Sequence, residues 1–552
     1  MANRNLPEEI TALQALPPGS EGPQGPQGEP GNDSEVPGPQ GDPGQKGDPG
    51  ATGPEGPSAV STDADNSLVL GSDGLPFYQQ VGLADIPDPA ANQITGLVKL
   101  SQDNAKNRIA FICEGAVTVT WGDGSDSQDY ASGITAEHDY DWDDVPVFRG
   151  SRTCVITCEA QAGQEITSAN FQVPPSGDLP EGWAQWVSPL IVLNLNLPDC
   201  TNLKLASDGM TPEVPYDAGA WPFPERDFSL PDGWLWGMLP GGPTQQVGLL
   251  QVETMQITTG PLSNAAGLFY GCEALITLEG MPDLSVTTSI DSLFLNCMAL
   301  LELSAIVAPE ATSATEVFAL CEALKNIDSI SLPKAKSLSG FYRGTGSLTS
   351  FPMFDTSQVE QVTSMFSGST GPEVPLYDFA SVIWADNIFM FSNITTVPLF
   401  VMPNVRSISA AFANSFVTTV PAWDISSAVY AKSMSLYADA LTTYGVTGLG
   451  ETQLTKEQAD AYGVGVSPYN ATIDQSLSFY CGFAPSGYDD LAITGSAINA
   501  FFEGLVDPAP QFYALESNGT EIYNKTPRIY LPAPVPSGTD TTIATNKGWS
   551  LS

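Results

Sequence analysis

Catalysis by proton exchange calls on groups that titrate near neutrality, and this chain of 552 residues has one histidine, His138. A Ser-His-Asp or Cys-His apparatus would have to be built around that single ring, so nucleophilic catalysis is poorly supported. Among the 63 acidic residues no carboxylate pair of the glycosidase kind stands out, and the chain is expected not to be an enzyme. The acids are open to a second chemistry, because Asp123, Asp126, Asp129, Asp139, Asp141, Asp143 and Asp144 crowd into one short stretch. Hard oxygen ligands on loops suit calcium, with Asp123, Asp126, Asp129 and Asp139 as its candidate ligands. Their spacing is not that of an EF-hand loop, a solvated acidic rim is the preferred reading, and no other cofactor is expected. The eight cysteines lack paired CxxC spacing, which argues against zinc. They read as reduced, buried thiols, with Cys113 and Cys154 as the pair to test for a disulfide. Trp183, Trp186, Trp221, Trp234 and Trp236 lie amid proline and glycine. Exposed, they would stack on sugar rings; buried, the preferred reading, they would weld two domains.

Charge and glycine spacing say what must carry these groups. A net charge of −44 with only 19 Lys and Arg excludes a basic nucleic-acid footprint and argues against docking on anionic lipid. No stretch approaches the ~20 apolar residues that cross a bilayer, so membrane insertion is not expected. Met1 to Pro18 has neither a basic start with an apolar core nor a cleavage site, so export by a signal peptide is not expected either. Twelve glycines then fall on a three-residue grid: Gly19, Gly22, Gly25, Gly28 and Gly31, followed by Gly38, Gly41, Gly44, Gly47, Gly50, Gly53 and Gly56. Proline fills many of the places between. Glycine at every third residue is what a collagen-like triple helix demands, because only glycine fits at its crowded axis. The expectation is a homotrimer with a stalk of roughly 100 Å. The grid slips by one between Asn32 and Pro37, where a joint is expected. Before it, Leu6, Ile10, Leu13 and Leu16 recur at near-helical spacing and suit a short amphipathic plug for another protein.

Past a Ser-, Asp- and Gly-rich linker or collar, period-two runs such as Val117-Thr118-Val119-Thr120-Trp121 and Val155-Ile156-Thr157-Cys158 signal strands. Trp121-Gly122-Asp123-Gly124, then Glu137-His138-Asp139-Tyr140, then Thr153-Cys154-Val155-Ile156-Thr157 resemble, in this order, the recurring strands of PKD-like β-sandwich domains. The resemblance implies an immunoglobulin-like module serving adhesion or spacing, with Trp121 and His138 in structural roles.

The second half repeats. An aromatic recurs at Phe269, Phe294, Phe318, Phe341, Phe366, Phe389 and Phe412, with Tyr437 as an eighth, at spacings of 25, 24, 23, 25, 23, 23 and 25. Cys272, Cys297 and Cys321 follow the first three aromatics, and later units lose the cysteine. A fixed period of this length is how a solenoid stacks one coil on the next. With Ser364-Met365-Phe366-Ser367-Gly368 and Phe354-Asp355-Thr356-Ser357-Gln358-Val359, the units resemble BspA-type leucine-rich repeats of bacterial and phage surface proteins. Leu491 to Leu505 and Ile543 to Leu551 resemble the closing elements of such arrays.

The expected class is multidomain and mainly β: collagen-like triple helix, immunoglobulin/PKD-like β-sandwich, then a leucine-rich-repeat solenoid with short helices. The expected order is a virion anchor (1–18), stalk (19–57), linker or trimer collar (58–94), sandwich (95–173), Trp-rich connector with first coils (174–255), solenoid (256–445), and C-terminal repeats and cap (446–552). Together these imply a trimeric bacteriophage fibre, made in the host cytoplasm and exposed on the virion. Its N-terminus would meet other virion proteins and its distal part a host surface glycan or protein. A tail fibre is preferred to a capsid-attached head fibre; a bacterial surface adhesin and a depolymerase tailspike are the further alternatives.

Overall fold

The computed structural model describes residues 68–70, 76–78, 83–173, 188–205 and 251–448 with short interruptions, and 493–505, 512–515, 521–525, 528–529, 531 and 535–551. The chain divides into two units, Met1–Ala59 and Val60–Ser552, and every described residue belongs to the second. The glycine grid, the N-terminal segment, the five connector tryptophans, Tyr437 and Cys481 lie outside the described residues. What is described is mainly β, with few helical residues.

After a small antiparallel pair, β1 (Leu68–Leu70) and β2 (Pro76–Tyr78), a two-sheet sandwich begins. Its strands are β3 (Gln93–Lys99), β4 (Arg108–Glu114), β5 (Val117–Thr120), β6 (Gln128–Tyr130), β7 (Thr135–Asp139), β8 (Val147–Phe148), β9 (Ser151–Ala160) and β10 (Ser168–Asn170). Alternation along β4 buries Ile109, Phe111 and Cys113, and alternation along β9 buries Cys154, Ile156 and Cys158. Trp121, at the end of β5, is fully buried and packs on Phe111 at 6.0 Å; Phe111 in turn stacks on Phe171 at 5.5 Å.

One sheet of the sandwich does not stop where the sandwich was expected to end. β11 (Leu190–Leu197) pairs antiparallel with β3 on one edge and parallel with β13 (Thr254–Thr259) on the other. From there the sheet continues in parallel through β14 (Thr277–Glu279), β15 (Glu302–Leu303) and β16 (Asn326–Ile327), the first rungs of the solenoid. The other sheet likewise takes up β12 (Asn202–Lys204) beside β10. Among the described residues of 174–255, β11, β12 and the start of β13 join sheets that reach to both sides of the stretch. Nearly all of β11 is buried, as expected for a strand covered on both faces. Its two asparagines are satisfied locally, Asn194 Nδ2 on Gln256 Oε1 at 2.9 Å and Asn196 Nδ2 on Pro89 O at 3.0 Å.

Through the coils runs a ladder of buried rings. Phe269 stacks on Phe294 at 4.9 Å, Phe294 on Phe318 at 6.0 Å, Phe318 on Tyr342 at 5.8 Å, Tyr342 on Phe366 at 5.7 Å, Phe366 on Phe389 at 5.2 Å and Phe389 on Phe412 at 5.9 Å, every pair within 20° of parallel. The fourth rung is thus Tyr342 and not the expected Phe341, which is buried beside the ladder with its ring perpendicular to Phe318. Hydrogen bonding between coils sets the choice: Phe294 N donates to Val317 O and Phe318 N to Phe341 O, which makes Phe341 the residue before the rung.

Amides near the rung alternate in purpose. In one coil the N–H groups of Ile290, Ser292, Phe294 and Asn296 donate to Ser313, Thr315, Val317 and Ala319 of the next, while those of Leu293, Leu295 and Cys297 close turns on their own coil. Two residues before and two after each rung adopt positive φ: Gly267 and Gly271, Ser292 and Asn296, Glu316 and Leu320, Gly340 and Gly344, Ser364 and Gly368, Asn387 and Phe391, Ala410 and Asn414. Three residues after the rung, Cys297 and Cys321 donate their thiols to Phe269 O at 3.1 Å and Phe294 O at 3.0 Å. Ser369 donates to Tyr342 O at 2.6 Å from the corresponding place. At Ser369 the lost cysteine is therefore replaced by another small donor to the same kind of carbonyl, whereas Thr345 and Ser415 donate to the rung carbonyls of their own coils, Tyr342 O and Phe412 O.

The array closes on α1 (Gly495–Glu503) and α2 (Thr542–Asn546). Thr494 caps α1 by accepting from Ala497 N, and Phe501 of α1 packs on Tyr444 of the last described coil at 5.4 Å. Lys547 places its ammonium on three carbonyls at the end of α1, those of Phe502, Glu503 and Leu505, at 3.1, 2.7 and 2.9 Å.

Candidate binding surface

The sandwich gathers the residues with the most chemical potential. Gly122, at φ +81, has no room for a Cβ against the Val155 carbonyl, so the chain can turn tightly after Trp121 and bring Asp123 inward. There Asp123 Oδ2 meets His138 Nε2 at 2.6 Å, and Asp123 Oδ1 accepts from the Ser125 backbone and hydroxyl at 3.1 and 2.6 Å. His138 stacks on Trp121 at 4.9 Å and meets Tyr140 edge-on at 4.7 Å, while the Tyr140 hydroxyl donates to Trp121 O at 3.1 Å. Partial burial works against a charge on Asp123, but the hydrogen bonds from Ser125 and His138 outweigh it and hold the carboxyl below its ordinary range. Burial pushes the neighbouring Cys154 thiol up to about 12, with the Asp123 charge adding to the effect. These groups satisfy one another and brace the turn against the core.

The four candidate calcium ligands are not brought together. Asp123 is engaged as above, Asp129 accepts from Thr118 Oγ1 at 2.6 Å, and Asp139 accepts from Arg108 Nε at 2.6 Å; Asp126 adds no shared site. Among the described residues no three acidic, histidine or cysteine side chains are grouped as metal ligands. The acids are close in sequence but fall on different strands and turns, which point them apart. All seven described cysteines are free and buried, and Cys113 meets Cys158 across the core rather than Cys154, which lies against Tyr140.

The solenoid offers contact surface. Phe391 and Asn393 on one coil lie beside Asn414 and Phe416 on the next, joined by Phe391 N to Ala413 O and Phe416 N to Ser392 O, both at 2.9 Å. Both phenylalanines are exposed. Asn393 Nδ2 reaches Thr370 Oγ1 at 3.1 Å on the coil before. The result is a small chequerboard of rings and amides.

Elsewhere on the coils, Pro352-Met353, Pro375-Leu376, Pro398-Leu399 and Pro421-Ala422 recur every 23 residues. Each is followed by an inward aromatic, namely Phe354, Tyr377, Phe400 and Trp423. In the last three of these units the aromatic's N–H turns back to the proline carbonyl, at 3.0, 3.0 and 2.7 Å. Adjacent units are tied by Tyr377 Oη on Pro352 O and Trp423 Nε1 on Pro398 O, both at 2.8 Å. The tight turn sends the aromatic in and the residue after proline out. Met353 is 61% exposed, Leu376 59%, Leu399 49%, and Val401, next to Leu399 on the same side, 65%. With the exposed Ala422 on the next coil, this apolar ridge spans four coils, about 14 Å at the usual strand spacing. Sequence reading anchored on the phenylalanine period passed over it, though the proline period of 23 was there to be found.

No protein-family model, curated protein or solved structure matches the chain.

Proposed function

We propose that the chain is a homotrimeric virion fibre of a tailed bacteriophage that projects from the particle and adheres to the host cell surface, as a tail fibre in preference to a capsid-attached head fibre. In this reading Met1 to Pro18 engages other virion proteins and the Gly-X-Y grid forms a collagen-like stalk. A PKD-like sandwich and BspA-type leucine-rich coils form the distal adhesion module. The observation that carries the reading is the order of parts: twelve glycines on a triplet grid, followed by a sandwich fused through one sheet to a stacked-coil array. A fused sheet suits a part that must transmit load without a flexible joint.

The mechanism is avidity: three weak sites per fibre and several fibres per particle give stable adsorption from contacts that are individually short-lived. The chequerboard of Phe391, Asn393, Asn414 and Phe416 supports a contact with glycan, because ring faces meet sugar C–H groups while amides meet hydroxyls. Electron microscopy of density-banded virions with an antibody to the coils tests the reading. Label at the tail is expected, label around the capsid would move the assignment to a head fibre, and absence of the chain from virions would overturn it.

A further inference from the structure

We infer that the Met353, Leu376, Leu399 and Val401 ridge lines the three-fold axis, where the coils of one copy meet the same coils of its partners in the trimer; the inference rests on the trimeric reading above. A contiguous exposed apolar strip is unusual on a soluble surface and marks a contact. On this chain its occupant is narrowed by charge. At −44 per chain, copies repel wherever their surfaces carry acids, and they approach most easily where charge is missing. The ridge is such a place, because Pro352, Met353, Pro375, Leu376, Pro398, Leu399, Pro421 and Ala422 are all neutral.

Two residues on from the ridge runs an acidic row of Asp355, Asp378 and Asp424, and the same position on the Leu399 coil is Val401. The acid is thus absent beside Leu399, where the apolar surface is widest. Four side chains and four prolines fall short of the roughly 1,000 Å² that a free-standing interface needs. Chains joined through a triple helix, however, are held at high effective concentration, and a small contact then suffices. The acidic row beside the ridge makes the contact salt-dependent in a stated direction: screening should strengthen it.

The test uses the full chain carrying Leu376→Cys, with Gln358→Cys, also exposed but five residues beyond Met353, as the control. The described native thiols are all buried and do not compete. A disulfide forms only when two Cβ atoms come within about 4 Å. Mild oxidation by a glutathione disulfide couple, which takes up the two electrons released by the thiols, is followed by non-reducing electrophoresis, with sedimentation to give the mass. A trimeric mass with most Leu376→Cys chains cross-linked, more so in about 1 M salt than in dilute buffer, and with the Gln358→Cys control at background, supports the inference. A trimeric mass in which the thiol introduced by Leu376→Cys is open to maleimide and not cross-linked at either salt overturns it and leaves the trimer standing. A monomeric mass refutes the trimeric reading and this inference with it.

Discussion

Replacing Phe366 by alanine tests whether the ring ladder holds the coils together. Phe366 is fully buried, stacks on Tyr342 at 5.7 Å and Phe389 at 5.2 Å, and meets Phe351 edge-on at 5.1 Å. Deleting a buried phenyl ring costs about 3–5 kcal/mol through lost transfer energy and the cavity left behind. Ring pairs add about 0.5–1.5 kcal/mol each beyond buried area, partly counted already in that range, so the expected cost is about 4–5 kcal/mol. In a stacked array the loss falls on the two interfaces flanking one coil, and the array should part there instead of melting uniformly. Hydrogen exchange should show protection falling between Phe341 and Phe412 while β3, β9 and β11 keep theirs, and urea unfolding should split into two transitions. Phe416→Ala, two coils on and exposed, should change stability by no more than about 0.5 kcal/mol. A Phe366→Ala cost below about 1 kcal/mol, or one equal to that of Phe416→Ala, would refute the reasoning.

Lys547→Met keeps the aliphatic stem but removes three donors from the end of α1, and should cost about 2–3 kcal/mol of local stability, read as faster amide exchange over Ile498 to Leu505. Asp123 has a carboxyl pKa below the ordinary 3.8 in the folded state; its contribution to stability is therefore present at neutral pH and lost as the pH falls through and below that value, and Asp123→Asn should flatten the acid limb of a stability-against-pH curve. Burial pushes the Cys272 and Cys321 thiols up to about 12, so at pH 8 only about one in ten thousand is ionised; a thiol reagent should leave both unmodified in the folded protein and label both in urea. Gly47→Ala should lower the melting temperature of the triple-helical circular dichroism signal while the coils stay folded; loss of the coil signal as well would sink the spacer reading.

Much of the fold was legible because the relevant forces act over short stretches of chain. Alternation along β4, β5 and β9 depends on side chains pointing to opposite faces at successive residues. Thr494, Ala497, Ile498, Phe501 and Phe502 lie at helical spacing, and α1 spans Gly495–Glu503. Residue type at a fixed period placed Phe269, Phe294, Phe318, Phe366, Phe389 and Phe412 inside, where they are. The candidate sites were less legible. Proximity in sequence makes Asp123, Asp126, Asp129 and Asp139 candidate ligands, with a solvated rim the preferred reading, and strand geometry sends Asp123, Asp129 and Asp139 each to a different partner.

By itself the sequence determined the kinds of part and their order: the triplet grid, the alternating strands, the period near 24 and the closing helix. Each follows from local sterics or from one repeat resembling the next. Only the tertiary structure decided that Tyr342 and not Phe341 carries the ladder, that β11 welds sandwich to solenoid, and that Met353, Leu376 and Leu399 face outward beside buried neighbours. Those outcomes depend on which amide of one coil reaches which carbonyl of the next. A one-residue change in that register exchanges inside for outside among side chains that are equally apolar, so hydrophobicity along the chain does not distinguish the two.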